Sequence, residues 1–241
     1  WCDVGAFVQG THEFGATAGF FLDNADVRWA RTGSVAGHDV IYGITVNNNP
    51  TIQDAWNSTP GWGYPYVGAL DTVSPGVGAT PGAIIDGGLG QRVVGASAYV
   101  FLNNMLYLEA GAYKSLDPRT QSLLGQDMSD GGSWDRLANP APYWRVALEK
   151  NWYEHSLMVG TFGIIVDKIP AGTNAITGGP AQGDAGLGAD HFTDIGFDLQ
   201  YQYLGDVHAF TAKASYIHEK QHLVSTLNQG GAANLDNTLE T

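Results

Sequence analysis

The strongest constraint on the fold is the alternation of apolar and polar residues between Thr193 and Tyr203. After Thr193, the odd positions are all apolar or aromatic, whereas the even positions hold two aspartates, two glutamines and one glycine. A period of two is typical of a β-strand that lies between an apolar and a polar medium. The alternation restarts at Phe210, after a turn around Gly205, so the sequence predicts a β-hairpin.

Two kinds of fold can hold such a hairpin. In a soluble β-sandwich, the apolar faces of two sheets bury each other. In a transmembrane β-barrel, the apolar face meets lipid, the polar face meets a lumen, and each strand needs about 9–11 residues. The hairpin strands are long enough to span, and Tyr201, Tyr203 and Tyr216 lie near strand ends, where an aromatic ring can sit at the membrane interface.

Composition narrows the possible functions. Charged residues make up 15% of the 241 residues, against about 25% in an ordinary soluble domain. No apolar run of about 18 residues occurs, which excludes a spanning helix in this sequence. The net charge of −13 argues against nucleic acid as a partner. The acidic excess fits either solvated loops or a field that favours cations at a pore mouth.

The same alternation predicts about nine strands, near residues 4–9, 21–29, 40–46, 91–103, 105–115, 144–148, 156–166, 193–203 and 210–219. A turn is predicted near Thr32, Gly33 and Ser34, and the strand at 156–166 is apolar on both faces, which leaves its orientation open. Short connections alternate with long loops at about 47–90, 116–142, 168–190 and 222–241.

Outer-membrane barrels have short turns on one side and long loops on the other. We therefore expect an all-β fold, an antiparallel, porin-like transmembrane β-barrel that forms a single segment over residues 1–241. Bacterial barrels have an even number of strands, so nine strands imply an incomplete barrel that continues beyond Thr241. The expected location is the bacterial outer membrane, with its lipid as a partner and no enzymatic activity.

The first long loop is rich in proline, glycine and aromatic residues. Its candidate functional residues are Trp56, Trp62 and Tyr64, whose rings give the loop apolar surface to pack. A long loop of this kind is usually functional or disordered. It could fold inward as a constriction or pack on the barrel rim. The final stretch from Asn228 to Thr241 shows no periodicity and is expected to be irregular.

Charged and amide side chains on the polar faces of the strands are candidates for lining a pore. They are Asp26, Arg28, Arg145, Glu149, Asp194, Asp198, Gln200 and Lys213. Arg28 is grouped with Asp26, and Arg145 with Glu149. The same residues could equally be a ladder of ion pairs that holds the strands together.

One motif suggests a different function. His218, Glu219 and His222 match the HExxH pattern, in which a helix brings both histidines to one zinc ion. Here the motif follows an alternating strand, and extended residues four apart are separated by about 13 Å. A zinc metallohydrolase is therefore the alternative that requires a helix at this place.

Five runs of residues resemble a family of bacterial outer-membrane proteins labelled as cytochrome c. The runs are Gly5–Gly10, Leu22–Arg28, Asn47–Pro60, Phe192–Asp198 and Ile217–Gln221. They extend over almost the whole chain, and the Asn47–Pro60 run is the most specific of them.

The resemblance implies a function. Members look like fusions of a short segment that carries one CxxCH haem site to a porin-like barrel, similar to the iron-oxidising cytochrome–porins of the outer membrane. This implies electron transfer across the membrane, with the barrel around a c-type haem and a periplasmic cytochrome as a possible partner. The sequence contains no CxxCH, and Cys2 is followed by Asp3, so the haem is expected on a missing N-terminal segment. A diffusion porin without haem is the alternative.

Overall fold

The computed structural model describes residues 2–11, 21–48, 50, 83–89, 92–117, 120, 136–170, 172–173, 180–181, 185–230, 232 and 234–240. The fold is all-β. Eleven strands form one antiparallel sheet, and two further strands form a separate small sheet. Among the described residues, no helix is long and apolar enough to cross a membrane.

The strands of the large sheet follow the order of the chain. Their order is β1-β2-β3-β4-β5-β7-β8-β11-β12-β13, with β6 paired to β8, while β9 pairs with β10 in the small sheet. The strands are β1 (Cys2–Thr11), β2 (Phe21–Val35), β3 (His38–Asn47), β4 (Val93–Leu102), β5 (Leu106–Ser115), β6 (Arg136–Leu137), β7 (Ala141–Trp152), β8 (His155–Ile169), β9 (Gly172–Thr173), β10 (Pro180–Ala181), β11 (Asp190–Leu204), β12 (Ala209–Leu223) and β13 (Asp236–Glu240).

Three short helical elements connect them. They are a π-helical turn at Ile84–Gly88, a 3₁₀ turn at Ala185–Leu187 and helix α1 at Val224–Asn228. The large sheet is open, with β1 and β13 at the ends of its strand order.

The nine strands predicted from alternation coincide with the nine long strands, and two local predictions are wrong. β2 does not turn near Thr32 but continues to Val35, and the turn lies at Ala36 and Gly37. Both turn residues have positive φ, 52° and 81°, as a tight hairpin requires. The stretch after Asn228 is not wholly irregular either, because β13 pairs there with β12. Five residues are too few for an alternating pattern to be recognised in the sequence.

The connections separate the two ends of the sheet. At one end, which we call the turn edge, the strands are joined by short hairpin turns at residues 36–37, 103–105, 153–154 and 205–208. At the other end, the loop edge, the connections span 48–92, 116–140, 170–189 and 224–235. Two of these long connections contain the short strands β6, β9 and β10, which the alternation did not predict.

One face of the sheet, the inner face, carries the buried side chains. A buried cluster joins Val93 of β4 to Phe192 of β11 and Ile217 of β12. β11 and β12 are neighbours, whereas β4 is separated from β11 by β5, β7 and β8, and the cluster also takes side chains from those three strands. The segment Ala83–Leu89 contributes several side chains to the same cluster and therefore packs on the inner face.

Two inner glycines let aromatic rings lie flat against the neighbouring strand. Gly95 is paired with Tyr113, and Gly196 with Phe162. A Cβ atom at Gly95 would lie 2.2 Å from the tyrosine ring, and one at Gly196 would lie 2.1 Å from the phenylalanine ring. Only glycine leaves room for these rings, which fixes the register of both strand pairs.

Candidate pore-lining face

The inner face holds buried ionisable side chains beside its apolar cluster, and the outer face exposes apolar side chains. Arg145, Asp194 and Glu219 are each at most 1% exposed, although they are ionisable. On the outer face, Phe197 is 56% exposed and Phe210 is 57% exposed. β11 shows the contrast within one strand, because its even positions from Asp190 to Asp198 are buried and its intervening apolar positions are exposed.

All eight predicted pore-lining residues occupy inner-face positions of their strands. They are Asp26 and Arg28 on β2, Arg145 and Glu149 on β7, Asp194, Asp198 and Gln200 on β11, and Lys213 on β12. The alternation of side chains along a strand is enough to place them there. The structure then divides them into local groups that the sequence does not show.

The first group lies on β2 and β3. Arg28 donates from Nε and Nη2 to Oδ2 of Asp26, at 3.0 and 2.8 Å. The hydroxyl of Thr45, across the strand pair, donates to Oδ1 of Asp26 at 2.9 Å. The expected grouping of Arg28 with Asp26 is confirmed, and Thr45 is a partner that the sequence analysis did not identify.

The second group surrounds Arg145. Its guanidinium forms a buried ion pair with Asp198, two strands away, and lies 5.7 Å from the centre of the Phe162 ring. The grouping of Arg145 with Glu149 is therefore wrong, and Glu149 instead accepts a hydrogen bond from Asn151 at 3.0 Å. Residues four apart in an extended strand lie too far apart for an ion pair. Asp198 instead meets Arg145 across Gly160 of β8, which has no side chain to separate them.

Glu109 completes this second group. It lies directly opposite Arg145 in the β5–β7 pairing and accepts a hydrogen bond from the Tyr107 hydroxyl at 2.7 Å. Its side chain is buried. Glu109 was not among the predicted lining residues, although its position on the polar side of an alternating strand was a sufficient signal.

The third group holds the inward segment. Asp194 and Glu219 face each other in the β11–β12 pairing. Oδ2 of Asp194 accepts the backbone N–H of Ile85 at 2.9 Å, and Oε2 of Glu219 accepts that of Ile84 at 2.5 Å. Two buried carboxylates thus satisfy the first amides of the π-helical turn, which would otherwise lack acceptors.

One described segment of the first long loop therefore packs on the inner face of the sheet. Residues 83–89 lie on the inner face near the loop edge, where Ile84, Ile85 and Leu89 are buried. The aromatic candidates Trp56, Trp62 and Tyr64 lie outside the described residues. Gln200 and Lys213 form a cross-strand pair nearer the turn edge.

The HExxH motif lies on a strand, as the alternation predicted. His218 and His222 occupy outer positions of β12, whereas Glu219 is buried on the inner face. The helix that a zinc protease needs is therefore replaced by an extended strand. Within the described ranges, no three histidine, cysteine or acidic side chains gather closely enough to hold a metal ion.

Comparisons with known proteins add no relative. No family model, curated protein or solved structure matches the chain.

Proposed function

We propose that this chain forms part of a porin-like β-barrel in the bacterial outer membrane, with the inner face lining its lumen. One observation carries the proposal. Buried ionisable side chains lie on the inner face beside the apolar cluster, and large apolar side chains are exposed along the outer face of most long strands. In water an ionised group is almost never fully buried without a partner, and a broad exposed apolar surface is rare.

The outer face supports a lipid environment along several strands. Val4 and Val8 of β1 are 72% and 65% exposed, and Ile44, Val159 and Leu199 are also large exposed hydrophobic residues. In lipid, an exposed apolar band carries no free-energy penalty, because the apolar side chains stay out of water. Aromatic residues lie towards the turn edge, where Tyr153 is 97% exposed, as expected at a membrane interface.

A soluble sandwich requires a second sheet to cover these residues. In the portion of the chain that the structure describes, the only other sheet pairs β9 with β10, each of two residues. A sheet of that size is far too small to cover the outer side of nine long strands. This comparison favours the barrel over the sandwich.

Several polar atoms on the inner face support a hydrated lumen. Nε and Nη1 of Arg145, Oε1 of Glu109 and Oδ1 of Asp194 have no hydrogen-bond partner among the described residues. Such atoms are costly in a dry core and are normally satisfied by water. The acidic side chains named on this face outnumber the basic ones, which would favour cations over anions in the lumen.

A role in electron transfer rests on the sequence resemblance alone and stays a prediction. In that role, the barrel would surround a c-type haem carried on another segment of the protein. A reduced-minus-oxidised visible spectrum of the full-length protein tests it, because c-type haem gives sharp bands. A spectrum without haem would leave a diffusion porin.

The barrel itself is tested with two neighbouring residues on opposite faces. Leu199→Cys and Gln200→Cys are made separately in a Cys2→Ser background and examined in isolated outer membranes. A fluorescent label on the cysteine at residue 199 should be quenched by lipid-soluble nitroxides. The cysteine at residue 200 should react with a water-soluble maleimide. Equal behaviour of the two positions, or extraction of the protein without detergent, would contradict the proposal.

A further inference from the structure

Four polar side chains form a row across the outer face at the loop edge. Asp167 of β8 pairs in register with His191 of β11, which pairs with His222 of β12, which pairs with Asp236 of β13. The row lies beyond the exposed apolar residues Ile195, Phe197 and Leu199 along β11. It is therefore outside the apolar band, whichever medium covers that band.

Each histidine is held by a carboxylate through the same ring nitrogen. Nδ1 of His191 lies 2.7 Å from Oδ1 of Asp167, and Nδ1 of His222 lies 2.7 Å from Oδ1 of Asp236. A carboxylate oxygen accepts a hydrogen bond, so the ring nitrogen that faces it is the donor. The proton of each neutral ring then sits on Nδ1, and Nε2 presents its lone pair.

This arrangement matches the geometry of histidines that bind metal ions. A histidine ligand almost always donates its second ring N–H to a carboxylate, which fixes the tautomer and makes the ligating nitrogen more basic. Both histidines are 47% exposed at the side chain, so a cation can reach them from solvent. The only other contact of Nε2 of His191 given by the structure is a long one, 3.3 Å to the hydroxyl of Thr193.

The register places His191 directly opposite His222, within reach of one shared ion. Cβ atoms of directly opposed residues on antiparallel strands are about 4.5–5.5 Å apart. A histidine nitrogen binds zinc at about 2.0–2.1 Å, so two opposed imidazoles can reach a common cation. The HExxH pair cannot, because His218 and His222 are about 13 Å apart in an extended strand.

We propose that His191 and His222 bind one divalent transition-metal ion, Cu²⁺ or Zn²⁺, through their Nε2 atoms. Asp167 and Asp236 are positioning residues that orient the rings. Because no third protein ligand converges here among the described residues, water completes the coordination and the ion stays exchangeable. Imidazole suits both ions, and Cu²⁺ binds most tightly of the first-row divalent metals. The site does not depend on the proposed pore.

The test titrates the full-length protein in detergent with Cu²⁺ and follows the electron paramagnetic resonance spectrum. The wild type should bind with two equatorial imidazole nitrogens. His191→Gln and His222→Gln should each remove one nitrogen and abolish tight binding. His218→Gln is the matched control, because it changes the other histidine of the motif on the same strand face, and it should bind as the wild type does.

The carboxylates give a second, graded readout. Asp167→Asn and Asp236→Asn should each weaken Cu²⁺ binding by about 10–100-fold without removing a nitrogen from the spectrum. Unfolding of each variant in denaturant checks that it is folded. The proposal is overturned if the wild type shows no saturable binding, if two nitrogens persist in His191→Gln, or if His218→Gln loses binding as well.

Discussion

The contact between Gly196 and Phe162 predicts a large effect from the smallest possible substitution. In Gly196→Ala, the new Cβ would lie 2.1 Å from Cζ of the ring, whereas ordinary contacts are 3.4–4 Å. The ring would have to move by more than an ångström, yet it is fully buried and packed in the inner cluster. Overpacking of this kind costs about 1–3 kcal/mol, and we expect the free energy of unfolding to fall by that amount.

The assay is equilibrium unfolding in urea or guanidinium, with the protein in detergent or lipid vesicles. Gly5→Ala is the matched control, because a Cβ at Gly5 of β1 would meet nothing within 4 Å. That substitution should be neutral, or stabilising by about 0.5–1 kcal/mol, since alanine loses less conformational freedom in a strand than glycine does.

A double substitution identifies the cause. In a Phe162→Leu background the ring is absent, so Gly196→Ala should lose most of its cost. The resulting interaction energy between the two sites should be about 0.5–3 kcal/mol. If Gly196→Ala is as harmless as Gly5→Ala, or costs the same with and without the ring, the close packing of ring on glycine is not what fixes this strand pair.

Three further predictions concern the charged groups. Arg145→Met should lower the free energy of unfolding by about 3–5 kcal/mol because it leaves Asp198 buried without its cation, and Arg145→Met with Asp198→Leu should recover most of this loss in the same assay. Asp194→Ala with Glu219→Ala removes both acceptors of the inward segment, so proteolysis near residues 83–89 should accelerate and single-channel conductance should rise. Gln200→Ala is the control and should change neither. The pKa of folded Asp167 lies below the ordinary value of 3.8, so its bond to His191 stabilises the loop edge above that pH and is lost as pH falls through the folded pKa. The protection factors of these two backbone amides against hydrogen exchange should therefore fall at acid pH in the wild type, while Asp167→Asn should lower them already at neutral pH.

The long strands were predictable because the period of two is a local property. Asp194 and Asp198 alternate with Ile195 and Phe197 in the printed sequence, and this alone places them on opposite faces. The orientation of β8 was not predictable, since both of its faces are apolar. Its even positions, among them Phe162 and Ile164, proved to be the buried ones.

The partners of the polar residues were not predictable from local pattern. Asp198 lies 53 residues from Arg145, and Asp194 lies 109 residues from Ile85. These contacts depend on strand register and on the path of a long loop, and neither can be predicted from the alternation of apolar and polar residues. The same holds for the pairing of His191 with His222, because the sequence motif groups His222 with His218 instead.

The order of the strands has a consequence for how the sheet assembles. In the large sheet, every long strand pairs with the long strands before and after it in the chain. Growth can therefore proceed by adding one hairpin at a time, and each addition closes a loop of modest length. The loop-closure entropy rises only slowly with length, so even the connection over residues 48–92 adds little to that cost. Each arriving strand thus needs only the free edge of its immediate predecessor.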